Sequence, residues 1–176
     1  MDWNTRLFLK INSLVSKNRW FDAFGRAGAE WVIFGMAAWF LVGLWMVRMP
    51  DRKAMFIGVM ILGSAWALGI MLGLLIGMLV KESRPHVKHP ESNLLFYPLS
   101  NWKSFPSDHA FSAFLLFFLA ILLGLPAAWA LLPMALWVGW GRVYAGVHYP
   151  FDIIGGLSLA GLVTVIMYWL RVIIDL

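Results

Sequence analysis

The chain has no cysteine, little charge and few acidic residues. Without cysteine there is no disulfide framework and no thiol nucleophile, and cysteine usage leaves the redox compartment unread. Only 13% of the 176 residues are Asp, Glu, Lys or Arg, against about 25% in an ordinary soluble domain. That shortage excludes a typical cytosolic enzyme. Internal repeats, low-complexity stretches and soluble linkers are also lacking, and the length argues for one domain, 1–176. With nine acidic against 14 basic residues the formal charge is +5, which suits nucleic acid, an anionic membrane surface or an anionic substrate. The apolar share is 61% and mean hydropathy is +0.77. Disorder is excluded, nucleic acid becomes the least suitable partner, and an all-α polytopic membrane bundle is the expected fold.

Four uncharged runs organise the chain: 31–47, 54–80, 110–141 and 153–170. A helix needs about 20 residues to cross about 30 Å of hydrocarbon. The third run is too long for one crossing and is broken at Gly124-Leu125-Pro126, so it reads as two helices near 107–123 and 127–143. Five transmembrane helices result. Gly69, Gly73 and Gly77 form a small-residue stripe for close helix packing. Trp31, Trp45, Trp129, Trp140 and Trp169 lie near span ends, as interfacial anchors do.

The first 26 residues differ. Trp3, Leu7, Phe8, Ile11, Leu14 and Val15 recur at helical spacing, interrupted by Arg6, Lys10, Lys17 and Arg19. This pattern predicts an amphipathic helix lying in the membrane interface, not a secretory signal. The long hydrophilic connection, 81–106, is of a length that usually carries function.

Span counting puts the N-terminus, the 81–106 loop and the connection 142–151 on one face. That face holds ten of the 14 basic residues and all four His: His86, His89, His109 and His148. The positive-inside rule would make it cytoplasmic. Three of its segments concentrate polar groups at helix ends: Lys81-Glu82-Ser83-Arg84-Pro85, Phe105-Pro106-Ser107-Asp108-His109, and 141–152 with Arg142, His148 and Asp152. Each alone has a plain structural explanation: snorkelling by Lys81 and Arg84, and helix capping by Ser107 or Asp108. Arg142 beside a long uncharged run is harder to explain that way, because a charge at membrane depth is costly. Helix N-termini and forked guanidinium groups together suit a phosphate.

These segments resemble the three signature motifs of the type-2 phosphatidic acid phosphatase (PAP2) superfamily, Lys-x6-Arg-Pro, Pro-Ser-Gly-His and Ser-Arg-x5-His-x3-Asp. Arg84-Pro85, Pro106-Ser107-x-His109 and Arg142-x5-His148-x3-Asp152 match in order and spacing. The Ser-Asp-His form resembles the undecaprenyl-diphosphatase branch linked to bacitracin resistance. There are three departures. Gly77 stands where the first motif has Lys, and Lys81, one turn on, is expected to substitute; Gly141 replaces the motif-three Ser; and the amphipathic segment replaces the first of six family spans.

The resemblance implies phosphoryl transfer in which His148 attacks phosphorus, Asp152 orients it, and His109 protonates the leaving oxygen and then activates water. Arg84, Arg142, Lys81 and Ser107 would hold phosphoryl oxygens, with Asp108 beside them. No cofactor and no metal is expected; His86-x2-His89 with Glu82 and Glu91 has only generic metal-ligand spacing. The expected substrate is a polyprenyl or glycerolipid phosphate within membrane lipid, undecaprenyl diphosphate first, phosphatidylglycerophosphate or phosphatidic acid second. A non-catalytic lipid or ion transporter is the alternative of another class. The resemblance also implies a site on the outer side of a bacterial inner membrane, against the raw positive-inside count. With the site cations set aside, Arg48, Arg52 and Lys53 mark the opposite face as cytoplasmic.

Overall fold

The computed structural model describes residues 1–49, 51–98 and 101–174. Residues 99 and 100 of the long connection therefore lie outside the description, as do Pro50 and the last two residues. The described chain is helical throughout, with no strand: α1 Trp3–Asn12, α2 Arg19–Arg26, α3 Val32–Arg48, α4 Arg52–Val80, α5 Pro85–Lys88, α6 Asp108–Leu122, α7 Leu131–Tyr144 and α8 Pro150–Ile174. Three segments are long and apolar enough to cross a membrane: Arg19–Arg48, Arg52–Lys88, whose continuous helix is α4, and Pro150–Ile173. The 110–141 run does divide near Gly124, but into shorter pieces, α6 of 15 residues and α7 of 14. A 3-10 turn, Ala128–Ala130, leads into α7.

The bundle is built around α6. Ala110, Phe111, Ala113, Phe114, Leu115, Leu119 and Ala120 are all buried, so this helix is apolar on every side, as a central helix must be. It packs against α3, α4, α7 and α8. Glycine sets the closest approaches: a Cβ on Gly69 of α4 would overlap the Phe111 ring, and one on Gly156 of α8 would lie 2.8 Å from Phe111 N. The bundle interior therefore depends on small residues as a membrane helix interface does.

The N-terminal segment departs from a helix merely resting at the interface. Phe8 is fully buried against Val143 and Tyr149, and Asn12 is enclosed. Asn12 Nδ2 donates to the carbonyls of Asn93 and Tyr144, while Asn93 N donates back to Asn12 Oδ1. Its buried side, Thr5, Phe8 and Asn12, thus covers protein and ties the long connection to the end of α7, while Trp3 and Leu14 stay exposed. Nor does α2 stop before the first span: it continues through a π-helical turn, Ala27–Trp31, directly into α3.

Candidate active site

The polar segments meet at one end of α6. Ser107 caps that helix: its Oγ accepts from Ala110 N, and its own N–H donates to the Asp152 carbonyl. This bond locks the start of α6 to the start of α8. Pro150 opens α8, where its missing N–H costs nothing, and so puts Asp152 in the first turn and His148 just before it.

His148 is 3% exposed and lies between two fixed partners. Arg84 Nη1 is 3.2 Å from its Nε2. A guanidinium has no acceptor, so Nε2 must take that bond through its lone pair. The ring proton then sits on Nδ1, which faces Asp152 Oδ2 at 3.3 Å. The same oxygen accepts from Ser104 Oγ at 2.5 Å and from Tyr149 N at 2.8 Å. The tautomer is set from both sides. Burial, followed by the charges of Arg142, Arg84 and Lys103, holds the imidazole pKa well below its usual 6.5, so the ring is neutral at pH 7.

Arg142, on the last turn of α7, is 5% exposed and donates to Ala29 O while lying over the Phe96 ring. Arg84 also donates to Val147 O. Among the described residues the Nε of each guanidinium is buried without a hydrogen-bond partner. Unfilled buried donors are costly unless a ligand satisfies them, and two at one place mark an anion site. Arg84, Arg142, His109, His148 and Asp108 line a single cavity of about 490 Å³, closed on other sides by Glu30, Phe34 and Phe96. His109 is half-buried there. A second, apolar cavity of about 510 Å³ lies between α3, α4 and α6; Asp108, His109 and Phe34 line both.

Lys81 lies elsewhere. The α4 helix ends at Val80, and Lys81 turns into the left-handed region (φ 54°) with an exposed side chain, so it does not continue the face that carried Gly77. Position 77 instead faces Lys103, a residue to which the motif spacing does not point. Lys103 is 4% exposed, and its ammonium donates to Asp108 Oδ1 at 2.6 Å. Ser104 was equally outside the expected set. The sequence signal for both is only their place beside Phe105-Pro106-Ser107. The Gly141 departure has a physical cause: a Cβ there would come within 2.6 Å of Ala29 N and 2.9 Å of Gly25 O, where the N-terminal helix crosses α7. The His86–His89 group does not gather: His86 faces Asn101, His89 pairs with Glu91, and Glu82 with Lys88.

A helical bundle that gathers two histidines, two arginines and the carboxylates of Glu30 and Asp108 around one cavity has the groups that a phosphate-handling site needs. The PAP2 superfamily model matches residues 58–173, and the chain belongs to that superfamily. It is 32% identical to the "Bacitracin transport permease protein BcrC" of Bacillus licheniformis, over 80% of this chain and 67% of that one. It is 28% identical to the "Undecaprenyl-diphosphatase BcrC" of Bacillus subtilis, over 89% and 78%. Identity to the "Lipid A 1-phosphatase" of Rhizobium etli is also 28%, over 94% and 85%. Among solved structures, Aquifex aeolicus LpxE superposes with a TM-score of 0.70 at 26% identity, covering 95% of both chains.

Proposed function

We propose that this membrane phosphatase hydrolyses undecaprenyl diphosphate to undecaprenyl phosphate through a phosphohistidine, without a metal. The observation that carries the chemistry is the bracketing of His148, with Arg84 on Nε2 and Asp152 on Nδ1. It supports a neutral ring whose Nε2 lone pair turns to phosphorus once substrate draws Arg84 onto a phosphoryl oxygen. The P–N bond forms as the bond from phosphorus to the lipid-phosphate oxygen breaks, and His109 gives that oxygen its proton. The neutral His109 then takes a proton from water, which attacks phosphorus and releases inorganic phosphate and His148. Arg84 and Arg142 stabilise the charge on the equatorial oxygens, the larger share of such catalysis. The apolar cavity between α3, α4 and α6 receives the hydrocarbon tail next to His109, where the leaving group departs.

In this reading α3, α4, α6, α7 and α8 each cross a bacterial inner membrane, the site faces outward, and Arg48, Arg52 and Lys53 lie inside. The similarity to a lipid A 1-phosphatase favours a second reading, a lipid phosphomonoester as substrate. Phosphate release by purified protein from undecaprenyl diphosphate, lipid A and phosphatidylglycerophosphate decides between them. Undecaprenyl diphosphate is expected to have the highest kcat/KM. His148→Ala is expected to abolish turnover and the acid-labile phosphoenzyme, and a reporter fused to the C-terminus to be cytoplasmic. Near-normal turnover by His148→Ala sinks the mechanism.

A further inference from the structure

Lys103 is a buried cation whose position the three signature segments do not predict. Its ammonium is 2.6 Å from Asp108 Oδ1 and 3.5 Å from Pro106 O. Its stem lies on Gly77: a Cβ at that position would be 2.7 Å from Lys103 Cδ and 3.4 Å from Lys103 Cβ. A side chain at 77 and Lys103 in this pose exclude one another. Position 77 is where the family pattern carries its first lysine.

We propose that Lys103, entering from the loop before α6, supplies the positive charge otherwise carried at position 77, and acts as a positioning residue through Asp108. The need for it follows from Asp108, which lines the anion cavity and whose side chain is 43% exposed. An unpaired carboxylate there would repel a phosphate dianion. Lys103 neutralises it from behind, where the cavity does not expose the ammonium, and fixes the first residue of α6 next to His109. Its charge also acts on His148 and Asp152. The next residue, Ser104, holds Asp152 directly, so one dipeptide braces both sides of the site. Among the described residues Lys81, exposed at the end of α4, makes no comparable contact.

The inference rests on the phosphatase reading, and phosphate release by the unmodified protein tests that reading separately. Lys103→Met is expected to lower kcat/KM by about 10–100-fold, the usual range for a residue that orients reacting groups, with KM rising because the anion meets an unpaired Asp108. Two double variants separate this role from folding. Lys103→Met with Asp108→Asn removes both charges and is expected to regain most of the lost kcat/KM. Lys103→Ala with Gly77→Lys clears the stem that a Cβ at 77 would meet, returns an ammonium to the same space from α4 and is expected to regain part of it. Thermal unfolding is followed for each. Wild-type kinetics in Lys103→Met overturn the proposal. So does failure of both double variants to improve on it while melting at its temperature. A larger loss in Lys81→Met than in Lys103→Met also overturns it. If Lys103→Met does not fold, the Lys103→Met, Asp108→Asn protein carries the test alone: activity within tenfold of wild type supports charge compensation, and a deeper loss refutes it.

Discussion

The two halves of the site are held in opposite ways. On the His148 side the polar atoms are tied: Asp152 Oδ2 takes three hydrogen bonds, and both ring nitrogens of His148 face partners. On the His109 side, among the described residues, only the neighbouring Asp108 is tied, through Lys103, while His109 sits half-buried where the polar and apolar cavities join. The difference matches the two tasks proposed for these histidines. A nucleophile gains from a preset tautomer and a rigid line of attack. A proton donor must meet a leaving oxygen whose position depends on a lipid tail.

The largest break in this comparison is Asp152→Asn. The amide leaves the geometry nearly intact but no longer favours the Nδ1–H tautomer, so kcat should fall about 10³–10⁴-fold in steady-state phosphate release. His109→Gln should cost about 10²–10⁴-fold with a lipid leaving group. With a nitrophenyl phosphate, which needs no proton donor, phosphoenzyme formation should survive and hydrolysis should stall, giving a burst of nitrophenol. Equal losses with both leaving groups would mean His109 is not the acid.

The pH profile sharpens the contrast. Burial and neighbouring cations lower the His148 pKa, so the proposed nucleophile stays neutral as pH falls through 6.5. The acid limb of kcat/KM should therefore lie below 6.5, and Arg142→Gln, removing one cation, should move it upward. The smallest effect is expected at Gly63, which lines the apolar cavity and whose Cβ would meet open space. Gly63→Leu should raise KM about tenfold for a long-chain substrate, the order expected from losing one to two buried methylenes of tail. A short-chain analogue should be unaffected.

What could be read from the chain follows the reach of each signal. The long helices α3, α4 and α8 and the break near Gly124 are local consequences of hydrophobic runs and of Gly-Leu-Pro. The spacing His148-x3-Asp152 is likewise one helical turn, so their pairing was visible in advance. The same logic misplaces Lys81, because helical spacing continues the α4 face through position 81. The helix ends one residue earlier, and a left-handed residue turns the side chain away. The N-terminal amphipathicity was visible too, but not what it covers: Phe8 and Asn12 are buried by the chain's own loop and α7.

By itself the sequence determined a helical membrane protein with three polar segments at helix ends, since hydropathy, caps and i,i+4 spacing are properties of neighbouring residues. The tertiary structure decided which cations enter the site and why two signature positions are glycine. Gly77 leaves room for the stem of Lys103, and Gly141 for the backbone of Gly25 and Ala29. Both answers depend on how closely distant segments approach, a distance that close packing sets and no single stretch of chain encodes.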